Sequence, residues 1–217
     1  MTSRAAARVD LAAPDRRHLH TGHQHEPLFV WLAIGHAAAL LVVPSIPLIA
    51  IGLWWNANTI AHNFIHRPFF RSRSANRGFS VFLSLVLGVP QSLWRQRHLQ
   101  HHAETRLGDA VRTTPRPLPI VIETLLVLTL WSAIVALAPS FFLQVYLPGW
   151  ALGLTLCQLQ GYFEHARGTT SHYGRLYNWL FFNDGFHVEH HLRPGTPWHF
   201  MQDISSIRCG RLSSGAT

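Results

Sequence analysis

Two long stretches of the chain are almost free of charge. Residues 28–61 contain no Lys, Arg, Asp or Glu, and residues 118–160 contain only Glu123. Runs of that length exceed a buried core helix and suit membrane spans, which need ~20 apolar residues each. Pro44 and Pro47 interrupt the first run and Pro139 the second. A proline inside a helix removes a hydrogen bond and clashes with the preceding turn, so each run reads as two helices and a turn. The expected spans are about 28–43, 47–66, 118–138 and 141–160, forming two hairpins. A third apolar stretch, 79–94, is shorter, is interrupted by Gly88 and Pro90, and meets Arg95 at once. It is read as an interfacial or re-entrant helix; a full crossing would divide the histidine clusters described below between the two membrane faces. The expected fold is all-α and integral to the membrane. A polar, disordered tail is expected over 1–27, a membrane domain over 28–200 and a second tail over 201–217.

Charge sharpens this picture. The 217 residues include 18 basic and 10 acidic side chains, a formal charge of +8, and every basic one is Arg. The arginines fall before residue 28, between Arg67 and Arg116, and after residue 160; neither turn contains one. By the positive-inside rule, the N-terminus, the central segment and the C-terminus all face the cytoplasm. Nucleic-acid binding is the other common reason for such a charge, but basic residues kept so completely out of the apolar runs favour the membrane. The first 27 residues carry Asp10, Asp15 and Glu26, and no cleavable signal peptide is expected there. The twin arginines Arg16 and Arg17 lack the apolar region such a signal needs. Two cysteines, Cys157 and Cys209, are too few for an iron–sulfur cluster.

The 16 histidines are the remaining excess. Eight form three compact clusters at the cytoplasmic ends of apolar segments: His62 and His66 in HNFIH, His98, His101 and His102 in HLQHH, and His187, His190 and His191 in HVEHH. On a helix, positions i, i+3 and i+4 share a face, so each cluster can aim its imidazoles at one point. One HxxxH is as often a polar face as a metal site; two HxxHH clusters beside it point to more than one metal ion. Imidazole suits Fe, Zn, Cu and Ni alike, so ligand type does not choose among them. His18, His20, His23 and His25 lie in the polar tail and read as solvated. His36 sits inside the first span, where it is either functional or a neutral imidazole bonded to a neighbouring helix. His199 is read as packing on the cap, and Glu123 as reaching the interface. Metal-bound histidines commonly donate their other N–H to a carboxylate. Glu164 and Asp184 are the candidates for that role, with pairing to Arg167 or Arg193 as the alternative, while Glu189 is expected to point away from the metal face.

HxxxH, HxxHH and HxxHH on four spans resemble the integral-membrane fatty acid desaturases and their related hydroxylases. The segment LQGYFEHARGTTSHYGRLYNWLFFNDGFHVEHHLRPGTPW is similar to that family's C-terminal stretch, and HHAET with Asp109 after it to its second box. The resemblance implies a cytoplasmic diiron cap with His62, His66, His98, His101, His102, His187, His190 and His191 as ligands. His165 is the match for a further ligand and His172 its runner-up. It also implies two Fe ions, O2, a membrane lipid or acyl substrate, and electrons from an external ferredoxin or cytochrome, docked on the basic face. The implied reaction is acyl-chain desaturation, with hydroxylation as the alternative outcome. Two rivals stand outside that resemblance: a membrane metal-binding or transport protein, and a zinc hydrolase.

Overall fold

A computed structural model describes residues 26–105, 107, 116–166 and 168–202. The histidine tract of the N-terminal tail, Asp109, Arg167, Cys209 and residues 203–217 lie outside the described residues. Among those described, all regular structure is helical. Helix α1 spans Pro27–Val42 and α2 spans Ile46–Asn56. Between them Ser45 caps α2, accepting from Leu48 N at 3.4 Å, and Pro47 sits in the first turn, where its missing N–H costs nothing.

Helix α2 continues through a π-helical turn, Ala57–Ala61, into α3, His62–His66. Sequence explains the distortion. Asn56, Asn58, Thr59 and Asn63 each donate a side-chain hydrogen bond to the carbonyl four residues back. These bonds compete with the backbone ladder where it widens. A π turn re-aims the residues after it, and those residues are His62 and His66.

The stretch 79–94 is not the single interfacial helix expected. It is shared between α4, Arg73–Leu87, and α5, Gln91–Thr105. Gly88, at φ 64°, ends α4 in the left-handed conformation that glycine adopts without strain, and Pro90 precludes continuation. Trp94 therefore belongs to the helix that carries the second histidine cluster. Helix α6 spans Pro117–Leu137; α7, Pro139–Phe141, leads through a second π turn, Phe142–Tyr146, into α8, Leu147–His165. Among the described residues two short helices follow, α9 at Arg175–Leu180 and α10 at His187–Leu192, before a 3-10 turn at Trp198–Phe200.

Helices α2 and α8 pack most closely, because α8 turns Gly149 and Gly153 toward α2. A Cβ at Gly149 would lie 2.9 Å from Ile49 Cβ, and one at Gly153 would lie 2.9 Å from Ala50 O. This is the small-xxx-small spacing that brings membrane helices together. Glu123 does not reach the interface as expected. It is 2 % exposed, accepting from Ser80 Oγ at 2.7 Å, from Ser92 Oγ at 2.8 Å and from Ser92 N. One carboxylate on α6 thus ties down α4 and caps the start of α5. His36 sits between α1 and α2, its Nε2 3.4 Å from Leu48 O and its Nδ1 accepting from Asn56 Nδ2 at 3.1 Å.

Pro117–Leu137 and Pro139–His165 are each long and apolar enough to cross a membrane, and α1 is a shorter apolar helix. Large side chains on these helices face outward, including Leu41, Leu125 and Leu143. The aromatic core lies at the opposite end from the interhelical turns. There Phe29, Phe64, Phe69 and Phe79 pack with ring centroids 5.1–5.6 Å apart.

Candidate metal centre

Nine histidines converge in two adjacent groups. His62, His66, His98, His102 and His190 form one; His101, His165, His187 and His191 form the other; within each, the candidate ligand atoms all lie within 4.8 Å of one another. Helix geometry produces the division. On α5, His98 and His102 are one turn apart and share a face with the first group, while His101 is offset toward the second. Helix α10 makes the same split, sending His190 to the first group and His187 with His191 to the second. The rings of His102 and His191 lie 4.2 Å apart and join the two.

The contacts run through Nε2. His62 and His190 approach to 2.8 Å, His66 and His98 to 2.7 Å, His101 and His165 to 3.0 Å, and His165 and His187 to 2.8 Å, all between Nε2 atoms. The Nδ1 atoms face outward. His62 Nδ1 donates to Asp184 Oδ1 at 3.0 Å, and His191 Nδ1 lies 3.1 Å from Thr105 Oγ1, whose hydroxyl donates to His102 O. His187 Nδ1 lies 3.7 Å from Glu164 Oε2. At His62 and His191 a protonated Nδ1 leaves the Nε2 lone pair directed inward, the tautomer a metal ion requires. Nδ1 of His102 and of His187 is buried without a hydrogen-bond partner among the described residues. Burial, reinforced by the neighbouring imidazoles, holds His98, His187 and His190 well below the usual histidine range and lowers His102 to about 3. Neutral imidazoles are the ligand form. A donor set of five and four inward nitrogens, with carboxylates behind two of the rings, fits two divalent transition-metal ions.

Asp184 lies beside His62 of the first group and Glu164 beside His187 of the second. Sequence reasoning missed the residue that joins them. Gln160 Nε2 donates to Glu164 Oε1 at 2.9 Å and to Asp184 Oδ2 at 2.8 Å, while its Oε1 accepts from Trp54 Nε1 at 2.7 Å. Its position one turn before Glu164 was the available signal. His172 lies outside both groups; its backbone N donates to Gly185 O. His199 is also outside, with its ring 5.3 Å from that of Trp198 and 4.3 Å from that of Phe200. Glu189 accepts from Ser171 Oγ at 2.7 Å and from Tyr173 OH at 2.9 Å.

Histidine groups of this kind, at one end of a bundle with helices long and apolar enough to cross a membrane, could hold metal ions, and comparison with known proteins gives the family. The fatty acid desaturase profile matches residues 37–119 and 110–208; the chain belongs to the fatty acid desaturase family. Human sphingolipid delta(4)-desaturase/C4-monooxygenase DES2 is 31% identical, over 67% of this chain and 59% of its own length. Drosophila melanogaster sphingolipid delta(4)-desaturase DES1 is 29% identical, over 84% of this chain and 75% of its own. For Gallus gallus sphingolipid delta(4)-desaturase DES1 the identity is 30%, over 67% and 59%. The chain thus spans 59% of the length of the human relative. No solved structure matches it.

Proposed function

We propose that this chain is a membrane-bound, O2-dependent diiron oxidoreductase that introduces a double bond into the carbon chain of an acyl lipid. The observation that carries the reading is the pair of imidazole groups. His62, His66, His98, His102 and His190 would hold one iron, and His101, His165, His187 and His191 the other. Four spans, formed by α1, by α2 with its continuation into α3, by α6 and by α7–α8, would hang from a cytoplasmic cap. The outward-facing apolar side chains and the clustering of the histidines at one end support that arrangement. The desaturase names of the relatives support a lipid substrate.

Bound in these groups, two iron ions would supply reductive activation of O2 and removal of hydrogen from an unactivated C–H bond. The protein's share is to hold and to exclude. Asp184 fixes the ring of His62 through a hydrogen bond, Glu164 stands behind His187 at 3.7 Å without bonding it, and Gln160 holds both carboxyl groups. Phe29, Phe64 and Phe69 pack together in the core that includes α3 and would keep bulk water from that side. No residue beside the site needs to act as acid or base. A desaturation consumes O2, an electron pair and two protons, and releases two waters. The electrons would come from a separate donor, ferredoxin or cytochrome in type, docked on the arginine-rich face.

A second reading, hydroxylation, is favoured by the double name of the human relative, desaturase and C4-monooxygenase. The outcomes differ in how the chain is held at the metals. Expression with a compatible reductase, followed by mass spectrometry of the host lipids, separates them. Loss of two hydrogens marks desaturation, gain of one oxygen marks hydroxylation, and unchanged lipids argue against both. Metal analysis separates the remaining classes: a zinc-only protein active without O2 is a hydrolase, and one that moves metal across the bilayer is a transporter.

A further inference from the structure

Two cavities share one wall. The smaller, about 20 Å³, is lined by His62, His66 and His190. That is room for roughly one water-sized molecule. The larger, about 650 Å³, has Leu32 of α1 and Trp55 of α2 in its lining and reaches α9. Its volume is in the range of sites for ligands well beyond water size, ~300–1,000 Å³. Phe182, Asn183 and Trp198 line both cavities.

The wall is a constrained piece of backbone. Phe182 and Asn183 have φ of 49° and 62°, consecutive left-handed residues, neither of them glycine. Such conformations persist only where the surroundings over-determine them. Here Asn183 N donates to Asn178 O at 2.8 Å, Asn183 Nδ2 donates to Trp198 O at 3.0 Å, and Gln202 Nε2 donates to Asn183 Oδ1 at 3.2 Å. The constraint sets the Phe182 ring among Phe29, Trp198 and Trp55, at centroid distances of 4.9, 5.1 and 6.0 Å. Trp198 Nε1 is buried at this wall with no acceptor among the described residues.

The mouth of the larger cavity is amphipathic. Arg175 lines it, and so do the exposed aromatic residues Tyr173 and Trp179, the latter 75% exposed. Trp and Tyr favour the boundary between headgroups and hydrocarbon. Trp55 Nε1 donates to Leu180 O at 2.8 Å and fastens α9 beside the apolar helices. A cavity floored by apolar helices, rimmed by interfacial aromatics and the Arg175 guanidinium, and lined by no acidic residue among the described residues suits a chain with an acceptor-rich head.

We propose that the larger cavity receives the carbon chain of an acyl lipid sideways from the bilayer, its head near Arg175, and that Phe182 sets how far the chain reaches toward His62 and His190. This rests on the lipid-chain reading above and names the residue that would determine positional specificity. The test uses the purified full chain in nanodiscs with palmitic acid carrying a diazirine at its methyl end. Photolysis and peptide mass spectrometry then map the adducts, with and without excess unlabelled palmitic acid. In the unsubstituted protein, competed adducts should fall within residues 173–183 and 198–202. Phe182→Ala should move adducts into residues 62–67, with at least a several-fold rise there, and Phe182→Trp should draw them back toward 173–179. The second variant keeps the test decisive if the first does not fold. Adducts confined to the outward faces of α6 and α8, or identical in every variant, overturn the proposal. If the adducts move as expected while host lipids stay unchanged, the cavity assignment stands and the desaturation reading fails.

Discussion

The five-histidine group and the four-histidine group are made of the same side chain but are held by different amounts of structure. The first draws on α3, α5 and α10, and Asp184 bonds directly to His62 at 3.0 Å. The second draws on α5, α8 and α10, and its carboxylate, Glu164, stands 3.7 Å from His187. Its closer Nδ1 partner is a hydroxyl, Thr105 at 3.1 Å from His191. Similar ligands with unequal support should make unequal sites, the first binding its ion more tightly. Gln160, which donates to both carboxyl groups, links the supports of the two groups.

Removing a ligand should have the largest effect. His190→Ala is expected to abolish lipid product and to take bound metal to one ion per chain or fewer, read by elemental analysis. His165→Ala should remove the second ion while sparing the first; equal losses from both groups in either variant would break the asymmetry. Asp184→Asn comes next, because outer partners of metal ligands are typically worth 10–100-fold in affinity. Glu164→Gln should cost clearly less, as its contact is longer; competition against a chelator ranks the pair, and the reverse order would contradict the comparison.

Gln160→Leu should act on both groups together. It leaves two carboxylates short of a donor, at about 1–3 kcal/mol for each buried group left unpaired, and should lower the melting temperature along with the affinity of both ions. Loss at one ion alone would show that Gln160 does not couple them. Thr105→Val should have the smallest effect. It removes one hydrogen bond worth about 1 kcal/mol, so affinity at the second ion falls less than tenfold and the first is unchanged.

Helical spacing marked the three histidine clusters, but not their division. On α5 and on α10 the i and i+4 imidazoles join one group and the i+3 imidazole the other, where the spacing predicts that each cluster aims at one point. His165 could be matched only through a family pattern, since it stands alone at the end of α8. Glu164 and Asp184 were legible by nearness to ligands, but which group each serves depends on how α8 and the loop before α10 fold over α3. Gln160 and Glu123 were not, because a polar residue in an apolar run shows its role only when its partners arrive from other helices. The split of 79–94 was marked by Gly88 and Pro90, yet hydropathy joined what backbone geometry separates. The π turn at Ala57–Ala61 has a sequence trace in the Asn and Thr residues around it, but those residues are equally common on ordinary helix faces.

The central claim, two ions in two unequal groups, is tested most directly by iron content per chain, compared between the unsubstituted protein and His165→Ala after identical purification and iron loading. About two irons per chain falling to about one is the predicted result. A single iron in both proteins, or zinc alone with full activity in the absence of O2, would contradict it.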